Sequence, residues 1–294
     1  QQNADLDIGS ADLVLEKGLA EFFSGSRIKV GPGGSAVVVE MDMAGSGGMS
    51  ALWMEQSNTL RVLDSRMQGF EAAILGDGLF PANSFDLWLV NTDFANNSFS
   101  VLLEDSGLLR AWDCNFDGTQ GGIGLALSNV EGARLQNCDI HHFTGNDSSP
   151  EDNTASVGIF VENVEELLMT GGKLRDNDIG LYCPAGFRAN VILRGQAEVA
   201  NNAAYGIFIE QGQLSSTDAY GMASMDCANF LNNGLACIKG QDITLNIDAY
   251  INSQTNDPNF VRANHFQRNV TTTGLWFDIC YTSPLGQAIQ TIPA

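Results

Sequence analysis

Apolar and polar positions alternate along most of this chain in short runs, and six of the runs share one phrase, a glycine followed by alternating apolar residues. They are Gly122-Ile123-Gly124-Leu125, Gly158-Ile159-Phe160-Val161, Gly180-Leu181-Tyr182-Cys183, Gly206-Ile207-Phe208-Ile209, Gly234-Leu235-Ala236-Cys237 and Gly274-Leu275-Trp276-Phe277. A polar turn precedes the phrases, as at Asn201-Asn202 and Asn232-Asn233. Period-two alternation specifies strands, and its recurrence at a near-constant interval specifies a solenoid whose coils bury their apolar faces on one another.

One coil reads most clearly from Leu108 to Gly132. A first strand runs from Leu108 to Trp112, a corner follows at Asp113-Cys114, a short second strand holds Asn115-Phe116, a turn spans Gly118 to Gly121, and a third strand covers Gly122 to Leu127. Matching corners fall at Asp64-Ser65, Asn91-Thr92, Asp113-Cys114 and Asn137-Cys138. Their near-constant spacing is what one turn of a three-sided coil requires at roughly 3.3 Å per residue. Asn, Asp and Gly suit the corners because they tolerate left-handed backbone. The pattern places no helix between strands, which argues against α/β folds.

With its Asn-rich turn before Gly-Ile-x-Leu, the chain resembles the right-handed parallel β-helix (pectate-lyase-like) superfamily over roughly residues 50 to 282. In character it is similar to bacteriophage tailspike and receptor-binding proteins. The resemblance implies an all-β, right-handed, three-sided parallel β-helix of roughly nine coils. It implies recognition of bacterial surface polysaccharide or lipopolysaccharide glycan by a parallel homotrimer, on an extracellular or virion surface. Two other readings stay open: a secreted polysaccharide lyase, hydrolase or epimerase acting as a monomer, and a non-catalytic structural spike or adhesin. Pectin hydrolases of the superfamily carry four ordered motifs. Here Asn91-Thr92-Asp93 and Arg27-Ile28-Lys29 are present in reversed order without the middle two, and both read as chance.

The ends differ from the middle. Residues 1–49 read as an N-terminal cap and first strands, 50–282 as the β-helix, and 283–294 as an extended tail. Residues 10 to 25 can form an amphipathic capping helix, with Ser10 as N-cap, Leu15, Leu19 and Phe22 on one face, and Gly25 as a stop, with strands as the alternative because Gly18 falls inside it. Three longer excursions fall at about 143–157, 211–222 and 248–262.

Composition narrows the partners. The 294 residues are 44% hydrophobic and 17% charged, with 35 acids against 14 Lys plus Arg and a net charge of -21. Phosphates would be repelled, so nucleic acid is an unexpected partner. No apolar run approaches the ~20 residues of a membrane span, so a soluble protein without membrane insertion is expected. The chain begins at Gln1 without Met, so trimming or processing is expected and export is left open. Cys114, Cys138 and Cys227 follow an acid or amide at corners, while Cys183 and Cys237 take inward strand positions. They read as small, free, buried fillers, suited to assembly in cytoplasm as virion proteins are. No cofactor is expected, and no Cys/His spacing predicts a metal.

Alternation then sorts the outward residues. With Ile123, Ile159, Leu181, Ile207, Leu235 and Leu275 inward, the phrases place Gly124, Phe160, Tyr182, Phe208, Ala236 and Trp276 in one outer column. Repeated aromatic residues on an outward face imply a covering, by sugar rings or by another subunit. Two positions on, Glu162 and Glu210 lie two coils apart, about 9.6 Å between backbones. That is near the upper end of the ~6.5–9.5 Å carboxyl separation of inverting glycosidases, which makes this pair the catalytic candidates. The first strand gives a second surface. With Val62, Leu89, Ala111 and Leu135 inward, one outer column holds Arg61, Trp88, Arg110 and Arg134, and the next Leu63, Val90, Trp112 and Gln136. Trp88, Trp112, Arg110 and Arg134 are therefore candidates for binding a carboxylated sugar or a neighbouring subunit. His141 and His142, ahead of Asp147, Glu151 and Asp152, read as a solvated loop.

Overall fold

The structure is a computed structural model. It describes residues 5–23, 25–46, 50–78, 85–145, 156–215, 228–252, 264–271 and 277–279. They form a parallel β-solenoid of about eight turns, with no helix among the described residues.

From Ser50 to Ala200 each turn lays one strand on each of three walls, while toward the ends one long strand serves two of them, Ser35–Gly45 the first and second and Tyr205–Ser215 the third and first. The first wall stacks Thr59–Leu63, Asp86–Val90, Leu108–Trp112, Gly132–Gln136, Val164–Thr170 and Ala189–Arg194. The second stacks Arg66–Gln68, Asp93–Ala95, Asn115–Asp117, Asp139–His141, Lys173–Arg175, Glu198–Ala200 and Ala228–Leu231. The third stacks Ser50–Glu55, Ala72–Asp77, Phe99–Glu104, Ile123–Ser128, Val157–Glu162, Ile179–Cys183 and Tyr205–Ser215.

The corners explain why the chain bends at these points. Asp64, Asn91, Asp113 and Asn137 all have φ between 46° and 53°. Backbone of that kind is tolerated best by Asn, Asp and Gly. Their side chains also rung together, Asn91 Nδ2 donating to Asp64 Oδ1 at 2.8 Å and Asn137 Nδ2 to Asp113 Oδ1 at 3.2 Å. The residue after each corner turns inward and donates back two residues. Ser65 Oγ donates to Leu63 O, Thr92 Oγ1 to Val90 O, Cys114 Sγ to Trp112 O and Cys138 Sγ to Gln136 O. Cys114 and Cys138 are thus fillers at corners, free and buried, and Cys183 and Cys237 are buried on strands. Cys227 lies outside the described residues.

Inside, like stacks on like. Leu60, Leu87, Leu109, Ala133, Leu167 and Val191 make one ladder, and Phe94 stacks on Phe116 at 4.9 Å with planes 2° apart. Burying each large side chain stabilises by roughly 1.5–3 kcal/mol. At the turn into the third wall, buried Asn177, Asn202 and Asn233 form an amide ladder. Asn202 Oδ1 accepts from the backbone and side-chain nitrogens of Asn177, while Asn202 Nδ2 donates to Asn233 Oδ1 and Leu174 O.

Three expectations fail. The segment expected as a capping helix is the strand Asp12–Phe22, parallel to Ser35–Gly45. Leu13 and Leu15, then Ala20 and Phe22, pack on the core at period two, the phase changing at Lys17 with φ 52°, and Leu19 is exposed. A helix would leave the edge of Ser35–Gly45 unpaired, whereas a strand satisfies it. Coiling thus starts before residue 50. At the other end the described strands do not continue the parallel stack, since Phe277–Ile279 runs antiparallel to Ile238–Gly240 and Asn264–Thr271 antiparallel to Thr244–Ile251; residues 274–276 of the last phrase lie outside the described residues. The excursions expected from 211 and 248 begin later, because Tyr205–Ser215 and Ala236–Asn252 are strands. Residues 216–222 and 253–262, the stretch 146–155 of the first excursion, and the tail 283–294 lie outside the described residues.

Candidate functional site

On the first wall the register is the expected one. Val62, Leu89, Ala111 and Leu135 are fully buried, and outside them Arg61, Trp88, Arg110 and Arg134 stand in one column. Trp112 stands in the next, level with Leu63, Val90 and Gln136. Strand alternation turns all of these outward, and stacking at about 4.8 Å brings the rings together. The Trp88 and Trp112 rings lie 5.4 Å apart at 34° and are half-buried. The Arg110 guanidinium lies 4.6 Å from the Trp88 ring centre and pairs with Asp86 at 3.3 Å. Exposed Arg61 approaches the same ring at 5.7 Å, and Arg134 pairs with Glu166 at 3.4 Å. Arg61 has no ion pair among the described residues. The result is an outward aromatic pair flanked by the guanidinium groups of Arg61 and Arg110.

On the third wall the phrases pair out of step with their spelling. Ile123 pairs with Val157 and Leu125 with Ile159, so Ala126 and not Gly124 is level with Phe160. Lys239, not Ala236, is level with Phe208. Ile123 is half-exposed and Leu235 exposed, so neither points inward as expected. Phe160, Tyr182 and Phe208 do form one column, with rings 5.9 and 5.0 Å apart. Tyr182 and Phe208 are each only 9% exposed and join Val157, Ile179, Tyr205 and Ala236 in an apolar cluster outside the coil core. Tyr182 and Phe208 are therefore covered within the chain, while Phe160 is half-buried. Lys239 closes the column, its ammonium 4.6 Å from the Tyr205 ring and 5.0 Å from Phe208. Trp276 lies outside the described residues.

Glu162 and Glu210 follow this cluster two rungs apart, as expected. Each is half-buried and held, Glu162 accepting from Ser128 Oγ at 3.2 Å and Glu210 from Tyr182 Oη at 2.9 Å. Burial, and then the bond and charge of Glu210, push the Tyr182 phenol up. Burial, followed by the charges of Glu210 and Glu162, pushes the Cys183 thiol up to about 12.

The second wall carries a cluster that spacing does not reveal. Asp117 and His141 are register partners, and His142 turns back beside them through φ 64°. His142 Nδ1 lies 2.9 Å from both His141 Nδ1 and Asp117 Oδ1, and His141 Nε2 lies 2.9 Å from Asn115 Oδ1. Burial holds the His141 imidazole below its ordinary value, with Asp139 and Asp117 opposing and Arg175 and His142 adding to the shift. Next to it Arg175 is bonded to Asp139 at 2.8 Å and Asp176 at 2.6 Å. Sequence order reads the histidines as part of a loop because their acidic partner lies a full coil back along the chain and is adjacent only across rungs. Compared with protein families, curated proteins and solved structures, the chain returns no match in any of the three.

Proposed function

We propose that this β-solenoid recognises a glycan of the bacterial surface, in the manner of a tailspike-like receptor-binding protein, through the Trp88–Trp112 face of its first wall. The observation that supports it is the pair of outward, half-buried indoles on successive rungs. The apolar C–H face of a sugar ring stacks on such a π surface, and the hydroxyls can be met by Asp86 and the arginines around it. Arg61 favours a glycan bearing a carboxylate, which offsets the repulsion expected from a chain of net charge -21. The same reading includes a homotrimer on an extracellular or virion surface, for which a native mass measurement is the test.

A glycan array on the full chain, followed by titration of the best ligand, tests the site. Trp88→Ala and Trp112→Ala should each weaken binding about tenfold, from roughly 0.5–1.5 kcal/mol of ring contact plus lost area. An array without ligands, or unchanged affinity in both variants, refutes the assignment. A second reading, hydrolysis, draws support from the two-rung separation of Glu162 and Glu210. It requires release of reducing ends that Glu162→Gln or Glu210→Gln abolishes.

A further inference from the structure

The geometry points to a binding site for one divalent transition-metal ion of the zinc class, held by Asp117 Oδ1, His141 Nδ1 and His142 Nδ1. Three ligand atoms converge there, separated by 2.9 Å (His141–His142), 2.9 Å (His142–Asp117) and 3.5 Å (His141–Asp117). A single ion can lie about 2.1 Å from all three atoms, which it would see at about 87°, 87° and 113°, so closing to a tetrahedral arrangement needs the two imidazoles and the carboxylate to spread slightly.

Proton accounting favours a cation at this point. In the orientation that places Asn115 Oδ1 2.9 Å from His141 Nε2, the oxygen accepts and that nitrogen carries the hydrogen. In neutral His141 the Nδ1 is then a bare lone pair. It faces His142 Nδ1, which faces the Asp117 carboxylate, so one proton on His142 must serve two acceptors. A metal ion at the shared point satisfies all three atoms together. Asn115 also fills the supporting role that metal-bound histidines require, holding the far ring nitrogen and fixing the tautomer.

The fold has arranged these groups on rigid elements. Asp117 and His141 end adjacent strands of the second wall. His142 occupies the left-handed corner held elsewhere by Asn96, Asp176, Asn201 and Asn232, and its ring lies edge-on to His141, 4.4 Å between centres. Asp117 is half-buried and His142 exposed, which leaves the outward side open for water or a ligand's oxygen atoms. Two imidazoles and one carboxylate suit Zn2+, Ni2+, Co2+ or Cu2+ and disfavour Ca2+, which takes six to eight oxygens.

The test uses the full chain after treatment with a chelator. Calorimetric titration with Zn2+ should give one equivalent bound, and Co2+ should develop a visible d–d spectrum. His142→Asn keeps a residue suited to the corner, so it should fold as the parent does and lose Zn2+ affinity by at least tenfold. Asp117→Asn should do the same. Binding that survives both substitutions, no Zn2+ uptake by the parent, or equal uptake of Ca2+ would overturn the assignment.

Discussion

Replacing Asn202 with leucine probes whether the amide ladder holds the third corner. Asn202 is fully buried and its side chain makes four hydrogen bonds, donating to Leu174 O at 3.1 Å and Asn233 Oδ1 at 2.9 Å and accepting two from Asn177 at 3.1 Å. Leucine removes all four. Two of the partners keep another bond, Asn177 Nδ2 to Ile140 O and Asn233 Oδ1 from the Asn202 backbone. The Asn177 backbone N–H loses the partner it has here. An orphaned buried donor costs about 1–3 kcal/mol and each of the other three bonds a net ~0.5–1.5, so the loss should be about 5 kcal/mol. In a solenoid each rung is held mainly by its neighbours, so the loss should be local. Amide hydrogen exchange should show protection falling in the rungs from Leu174 to Asn233 while Leu87–Trp112 exchanges as before. Asn190→Ala, which removes one exposed bond to Glu165 O, is the control and should change little. A loss under about 1 kcal/mol, or a uniform loss along the chain, would refute the ladder's role.

Two further outcomes follow from the ionisable groups. The Asp77 carboxyl is held above its ordinary 3.8 by burial and by the charges of Asp105 and Glu55. A raised acid binds its proton more tightly when folded, so its contribution to stability is greatest below pH 3.8 and is lost as pH rises through the folded value. Asp77→Asn should therefore raise stability near pH 7, read from urea unfolding, by less than about 1 kcal/mol, the group being half-exposed, and should converge with the parent in acid. A variant less stable than the parent at neutral pH would refute this. Cys183, fully buried and pushed up to about 12, should resist thiol reagents at about pH 8 until the chain unfolds. Peptide mapping of native protein that finds Cys183 labelled would contradict its placement.

The first wall is legible in the sequence from Thr59 to Gln136 because nothing interrupts its alternation there: each strand is entered from one corner and left by another, so counting by twos from Asp64 or Asn137 finds the inward side, whereas further on the register shifts between Val164 and Leu167. On the third wall, aligning the phrases by their glycines slips the register at Gly122 and again at Gly234. Glycine serves there in two capacities, as a turn residue and as a strand residue under a crowded wall. Gly121, with φ 74°, ends the turn, while the true partner of Gly158 is Gly124, where an added Cβ would strike the Gly158 carbonyl. A short phrase cannot tell these uses apart. The N-terminal strand escapes for a related reason, since Leu15 and Phe22 satisfy a helical spacing as well as two alternating runs joined at Lys17. The Asp117–His141–His142 cluster is invisible in the sequence because only the closed coil makes its members neighbours.

The walls also separate chain length from wall geometry. The stretch of chain from His141 to its level partner Arg175 is markedly longer than that from Asp117 to His141, yet the strands above and below stack alike. In sequence the additional residues fall between the second-wall strand Asp139–His141 and the third-wall strand Val157–Glu162. Closing a longer loop costs only about 0.6 kcal/mol per doubling of its length. New peptide can therefore be grafted in that stretch, between Gly145 and Ser156, with the scaffold unaltered, so that variation in what the protein meets need not be variation in how it folds.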